Sequence, residues 1–189
     1  MDTFLNSLYD YKKKKQKAQM KNLNDYINRE VIISAVSNFK FNYELKAEGA
    51  VIQSIKCTSF WGNRHEISGE DKTWEIIKPN VWKNLVEIKE KGSETVLAEI
   101  KGGVFKCSND INLPRGEKVR LVMNMWKSTF ELQNELGTTL VSFKSKKWYC
   151  SDVIVTIKTK SEALEKYPFI ILLAFLMVQQ KRQSAAAIA

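Results

Sequence analysis

The sequence predicts a mainly β protein with a central helix: a closed antiparallel β-barrel of repeated hairpins around a C-terminal hydrophobic helix, plus an N-terminal amphipathic helix. Three observations lead there. First, every side chain from Pro168 to Val178 is apolar, and Gln179, Gln180, Lys181 and Arg182 follow. A helix without a polar face needs apolar surroundings on all sides. That run rises only about 16 Å, against about 30 Å of bilayer hydrocarbon, so protein is the expected surrounding. Second, a unit recurs. Tyr43-Glu44-Leu45-Lys46 leads to Gly49 and Val51-Ile52, Val86-Glu87-Ile88-Lys89 to Gly92 and Val96-Leu97, and Phe130-Glu131-Leu132-Gln133 to Gly137 and Leu140-Val141. The three glutamates stand 43 and 44 residues apart. Each unit reads as strand, glycine turn and return strand. Third, Phe39, Phe41, Tyr43 and Leu45 alternate with polar neighbours, as strand residues facing a core do. Three or four hairpins closed into one sheet would leave an interior for the helix to fill.

In chain order, residues 2–28 read as helical, with Leu5, Leu8, Tyr9, Met20, Leu23, Tyr26 and Ile27 on one stripe and the consecutive Lys12, Lys13, Lys14 and Lys15 ringing it. Val31-Ile32-Ile33 is a lead-in strand. Within each repeat the residues flanking glutamate share a face, so Tyr43/Leu45, Val86/Ile88 and Phe130/Leu132 should point inward. Trp74-Glu75-Ile76 repeats the triplet without its turn. Val153, Val155 and Ile157 mark a last strand, Ser161 to Glu165 a helical turn, and Pro168 suits the first turn of the final helix, where its missing N–H costs nothing. The division is an N-terminal helical extension with its lead-in strand, 1–37, and a barrel, 38–189, whose internal helix covers about 168–187.

The 189 residues carry a net charge of +9, which suits phosphate-bearing partners, lipid or nucleic acid. Cys57, Cys107 and Cys150 are odd in number, widely spaced and form no CxxC, so neither a zinc ribbon nor a disulfide framework fits, and a reducing cytoplasmic setting is expected. The N-terminus has no apolar h-region of the kind a cleaved signal needs. His65 is the one histidine, expected on a strand surface, and no nucleophile elbow, HExxH or phosphate loop occurs. Asp71, Asp110 and Asp152 stand apart, without the alternating carboxylates of a calcium loop. No catalytic residue, cofactor or metal is therefore expected. The tryptophans Trp61, Trp74, Trp82, Trp126 and Trp148 are expected to fill the space between wall and helix.

The triplets Tyr43-Glu44-Leu45, Trp74-Glu75-Ile76 and Phe130-Glu131-Leu132, with the helix Pro168–Val178, resemble the tubby C-terminal-like superfamily over roughly residues 38–189, nearest in size to its LURP-one-related and phospholipid-scramblase branches. The resemblance implies a barrel threaded by its helix, phosphoinositide binding by basic surface residues in tubby proteins, and membrane association in scramblases. Tubby proteins hold phosphates with a Lys-x-Arg pair on a strand, and Lys118-Val119-Arg120 has that form, with Arg115 and Lys144 as companions. The expected function is a non-enzymatic binding module for acidic phospholipid headgroups or a protein partner, cytoplasmic and peripheral at the membrane, with Lys12 to Lys15 adding non-specific attraction. The alternatives are a tail-anchored protein inserted from Pro168 onward and a nucleic-acid binder using the lysine-rich N-terminus. Nucleic acid is not the expected partner, and oligomeric state is left open.

Overall fold

Twelve strands close into a single barrel, each paired antiparallel with its neighbours in the chain and the first with the last. The computed structural model describes residues 22–37, 41–59, 63–79, 85–101, 108–124, 129–145 and 152–186. The strands are β1 (Val31–Ser37), β2 (Asn42–Ala47), β3 (Ala50–Cys57), β4 (Arg64–Ser68), β5 (Thr73–Ile77), β6 (Leu85–Glu90), β7 (Val96–Lys101), β8 (Ser108–Asn112), β9 (Lys118–Asn124), β10 (Thr129–Gln133), β11 (Thr139–Ser145) and β12 (Val153–Ile157). Helices α1 (Glu162–Lys166) and α2 (Ile170–Ala186) follow.

The repeat is real but larger than a hairpin. Its three copies begin at β2, β6 and β10, so the unit is four strands, and the barrel has more staves than three or four hairpins supply. Each copy makes its first turn through a glycine at positive φ: Gly49 at 80°, Gly92 at 85° and Gly137 at 78°. A left-handed residue is what such a turn requires, and glycine takes it without strain. Each copy also slips register at the same place, just after the aliphatic residue of its triplet: Leu45/Lys46, Ile88/Lys89 and Leu132/Gln133. A bulge of this kind bends and twists a strand, and three copies distribute the curvature around the wall.

Eight strands make a barrel that wall side chains can fill; more strands leave a wider lumen. Here the lumen holds α2. Phe169 to Phe175 are 0% exposed, so the helix is enclosed on every face. Tyr43 stands edge-on to Phe175 with ring centroids 4.7 Å apart, and Trp74 packs on Phe169 at 5.4 Å. Inward positions alternate along the wall as expected, with Leu45, Ile88 and Leu132 buried and Tyr43 and Val86 packed on the core. Among the described residues no helix is long and apolar enough to cross a membrane.

Over residues 22–28, the described part of the expected N-terminal helix, the chain departs from the helical reading. Residues 1–21, with most of the apolar stripe and Lys12 to Lys15, lie outside the described residues. Leu23–Tyr26 forms a short 3₁₀ turn capped by the Asn22 side chain, and the backbone turns at Asn28, φ 60°. Three turn-forming asparagines (Asn22, Asn24 and Asn28) within seven positions favour this over a continuing helix. The segment closes one end of the barrel. Leu23 and Tyr26 are buried, and Asn24 exchanges two hydrogen bonds with the Ser161 backbone, at 3.2 Å each. The lead-in strand β1 is itself a stave, paired with both β12 and β2.

Candidate functional site at the open end of the barrel

The barrel has two unlike ends. At one, hairpins turn tightly at Glu48–Gly49, Gly69–Lys72, Lys91–Thr95, Leu113–Glu117 and Asn134–Thr138, and α1 and the Leu23–Tyr26 turn seal the lumen. Ser161 caps α1, its Oγ accepting from the Ala163 N–H at 3.2 Å. At the other end the strands are joined by the segments that lie outside the described residues, and α2 emerges there.

The sequence-expected quartet does not assemble. Lys118 and Arg120 do share the outer face of β9, both exposed. Arg120, however, is engaged: its Nε donates to Asp110 Oδ1 at 2.8 Å, an ion pair that raises the guanidinium above its usual value. Arg115 lies in the β8–β9 turn at the sealed end, φ 62°, where its charge adds to the larger effect of the Lys166 hydrogen bond in lowering the Glu162 carboxyl. Lys144 lies on β11 toward the open end. The register Lys144–Thr129–Asn124 puts it level with Asn124, four residues beyond Arg120 and two strands over, which is about 16 Å away. Alternation along one strand placed the Lys-x-Arg pair correctly; the pairing across three strands, invisible in sequence, keeps Lys144 apart.

Cations gather instead around the open end. Lys56, Arg64, Lys78, Lys101, Lys144, Lys181 and Arg182 stand there, against fewer described carboxylates: Asp152, Glu66 opposite Lys56, and Glu99, ion-paired with Lys101 at 3.2 Å. The six undescribed connections between these strand ends contribute Lys40, Lys83, Lys106, Lys127, Lys146 and Lys147 to the sequence and no Asp or Glu. At the sealed end carboxylates balance cations, and many are paired: Arg29 with Glu48, Lys166 with Glu162, Lys72 with Glu90 at 3.1 Å, and Lys89 with Glu94 at 3.5 Å.

Inside the open end the wall turns polar. His65 is 3% exposed, not the surface residue its sequence context suggested, and it opposes Cys57 across β3 and β4. Burial, with Lys78 nearby, lowers its pKa to about 4, so it is neutral at physiological pH. Phe41 lies edge-on to its ring at 6.2 Å. Lys78 Nζ donates to Gln180 Oε1 at 3.0 Å, and an Arg182 terminal nitrogen donates to Ser145 Oγ at 3.1 Å. Both bonds tie α2 to the wall, and burial lowers the pKa of both cations. Asn109, on β8, is 4% exposed with Nδ2 unpartnered. Sequence reading missed this layer, although one signal was present: by alternation Lys78 falls on the face of Trp74 and Ile76. Trp74 packs on the helix as expected; Trp61, Trp82, Trp126, Trp148, Cys107 and Cys150 lie outside the described residues. Cys57 is a free thiol whose Sγ donates to the Ser59 carbonyl at 3.2 Å. Among the described residues no three His, Cys, Asp or Glu side chains gather as metal ligands would.

No protein-family model matches this sequence, and no curated protein matches it. Among solved structures, the chain is similar in fold to a protein from Arabidopsis thaliana, AT5G01750, known from an X-ray structure. The TM-score is 0.55 at 10% sequence identity, covering 79% of this chain and 91% of that one.

Proposed function

We propose that this chain is a non-enzymatic binding module of the tubby and LURP-one-like kind, cytoplasmic and peripheral, which sets the open end of its barrel against an anionic phospholipid surface. The observation that carries the reading is the charge imbalance between the two ends: an open rim whose described cations outnumber Asp152, Glu66 and Glu99, opposite a rim where charges balance. Basic residues near an acidic leaflet each contribute about 1 kcal/mol. The sequences that join the rim strands add lysine beside aromatic residues, as in Trp82-Lys83, Phe105-Lys106, Trp126-Lys127 and Lys147-Trp148, the composition that suits a membrane–water interface. The barrel threaded by an apolar helix supports the family reading. The enclosure of α2 within the barrel favours this reading over the tail-anchor alternative.

Vesicle sedimentation tests the proposal. Full-length protein should pellet with phosphatidylserine-containing vesicles and not with neutral phosphatidylcholine, and added salt should release it. Replacing both Arg64 and Lys144 by Gln should weaken partitioning by about thirtyfold, whereas Lys118→Gln with Arg120→Gln should change it little. Equal pelleting on neutral and acidic vesicles, or none on either, ends the lipid reading. Loss on the Lys118/Arg120 variant alone moves the contact to the outer wall.

A further inference from the structure

We propose that the open end also contains a discrete oxyanion site, built on Lys78 and His65, that takes a single phosphate group. This goes beyond surface docking, which needs only the net charge of the rim. The two side chains are brought together by register. His65 opposes Ile76, and Lys78 lies two residues further, just past the end of β5 with its N–H donating to the Asn63 carbonyl, on the same inward face and diagonal to the histidine. Diagonal neighbours of this kind are about 7 Å apart, within reach for a long side chain.

Among the described residues, the donors there are not all taken. An ammonium has three N–H donors, and Lys78 gives one of them to Gln180 Oε1. No carboxylate among the described residues lies within ion-pair distance of Lys78; Asp152, at the head of β12, belongs to another sector of the rim. The His65 ring is 3% exposed, yet none of the described residues hydrogen-bonds to it. A neutral imidazole keeps one N–H donor. Cys57, opposite His65, spends its thiol hydrogen on the Ser59 carbonyl and does not compete.

Among the described residues, this half-buried ammonium faces a neutral amide and a neutral imidazole and no counter-charge. Burying a charge without its opposite is costly, and an oxyanion entering the mouth would relieve that cost while accepting from both side chains. The chemistry admits two sources, free phosphate or the phosphate of a lipid headgroup.

Because His65 is the sole histidine of the chain, its ring proton resonance reports on the site without ambiguity. The full-length protein is titrated at constant ionic strength with sodium phosphate, with chloride as the reference, and in a parallel arm with dihexanoyl phosphatidate as a soluble headgroup. The expected result is a saturable shift of the His65 signal with phosphate, absent with chloride. Lys78→Gln, which keeps a neutral hydrogen-bonding group toward Gln180, should weaken it at least about tenfold, and Lys78→Arg should largely restore it. A shift with both ligands assigns the shared phosphate group; a shift with inorganic phosphate alone assigns the free ion. No saturable shift with either ligand, or an undiminished one in Lys78→Gln, overturns the site and reduces Lys78 to a tie for α2. Vesicle pelleting that depends on Arg64 and Lys144 while His65 stays silent would sink this site and leave the docking surface standing.

Discussion

The two ends of this barrel are made from the same staves and solve opposite problems. The sealed end has short turns, a capped helical turn, a 3₁₀ turn laid across the lumen and cations matched by carboxylates. The open end has longer connections, a polar inner layer and, among the described residues, more cations than carboxylates. A fold needs at least one end that keeps water from its core. Once that is secured, the other can carry groups that cost stability, which is where binding residues tend to be found.

Four substitutions break or sharpen that contrast. The largest effect should come from what both ends share. Leu173→Asp places a carboxylate at a position with no exposure, between walls that offer it no partner. It should cost several kcal/mol and abolish soluble, cooperatively melting protein. At the sealed end, Trp74→Ala removes the ring that packs on Phe169. Large aromatic truncations of this kind cost about 3–5 kcal/mol, read as a lower urea midpoint.

The third test concerns acid and the open end. The His65 pKa lies at about 4 in the fold, because burial and then the Lys78 charge oppose protonation, whereas the unfolded chain binds that proton near pH 6.5. Stability from this source is therefore complete above pH 6.5 and declines as pH falls toward 4, where the unfolded state binds the extra proton. The loss approaches about 3 kcal/mol at its limit. In His65→Phe the pH dependence across that window should flatten; an unchanged slope would assign it to other groups. The smallest effect is expected on the outer wall. Arg120→Gln breaks an exposed pair with Asp110, and its melting temperature should match wild type within error, since such pairs contribute little.

Much of this architecture was legible in local pattern. The triplets around Glu44, Glu87 and Glu131 revealed the repeat, and the unbroken apolar run after Pro168 revealed the enclosed helix. The additional strands were harder to see for a physical reason. Arg64–Ser68 and Ser108–Asn112 place His65 and Asn109 on their inward faces, so the alternation that announces a strand is missing where the lumen turns polar. The same substitution of polar for apolar that hid these strands marks the candidate site. The relation of Lys144 to Arg120 was not legible at all, because it depends on how β9, β10 and β11 pair. Residues 22–28 misled for another reason: a periodic stripe through Leu23, Tyr26 and Ile27 also suits a turn whose apolar side chains plug a lumen.

The position of α2 in the chain sets the order in which the molecule can be made. It is translated after all twelve strands, and β1 must wait for β12 before the wall can shut. A ribosome releasing this protein therefore holds a growing sheet whose apolar lining has nothing to cover it until the helix arrives. Synthesis stalled near Lys160 should leave a species that chaperones hold and proteases find, and full-length product should escape both within one cooperative step.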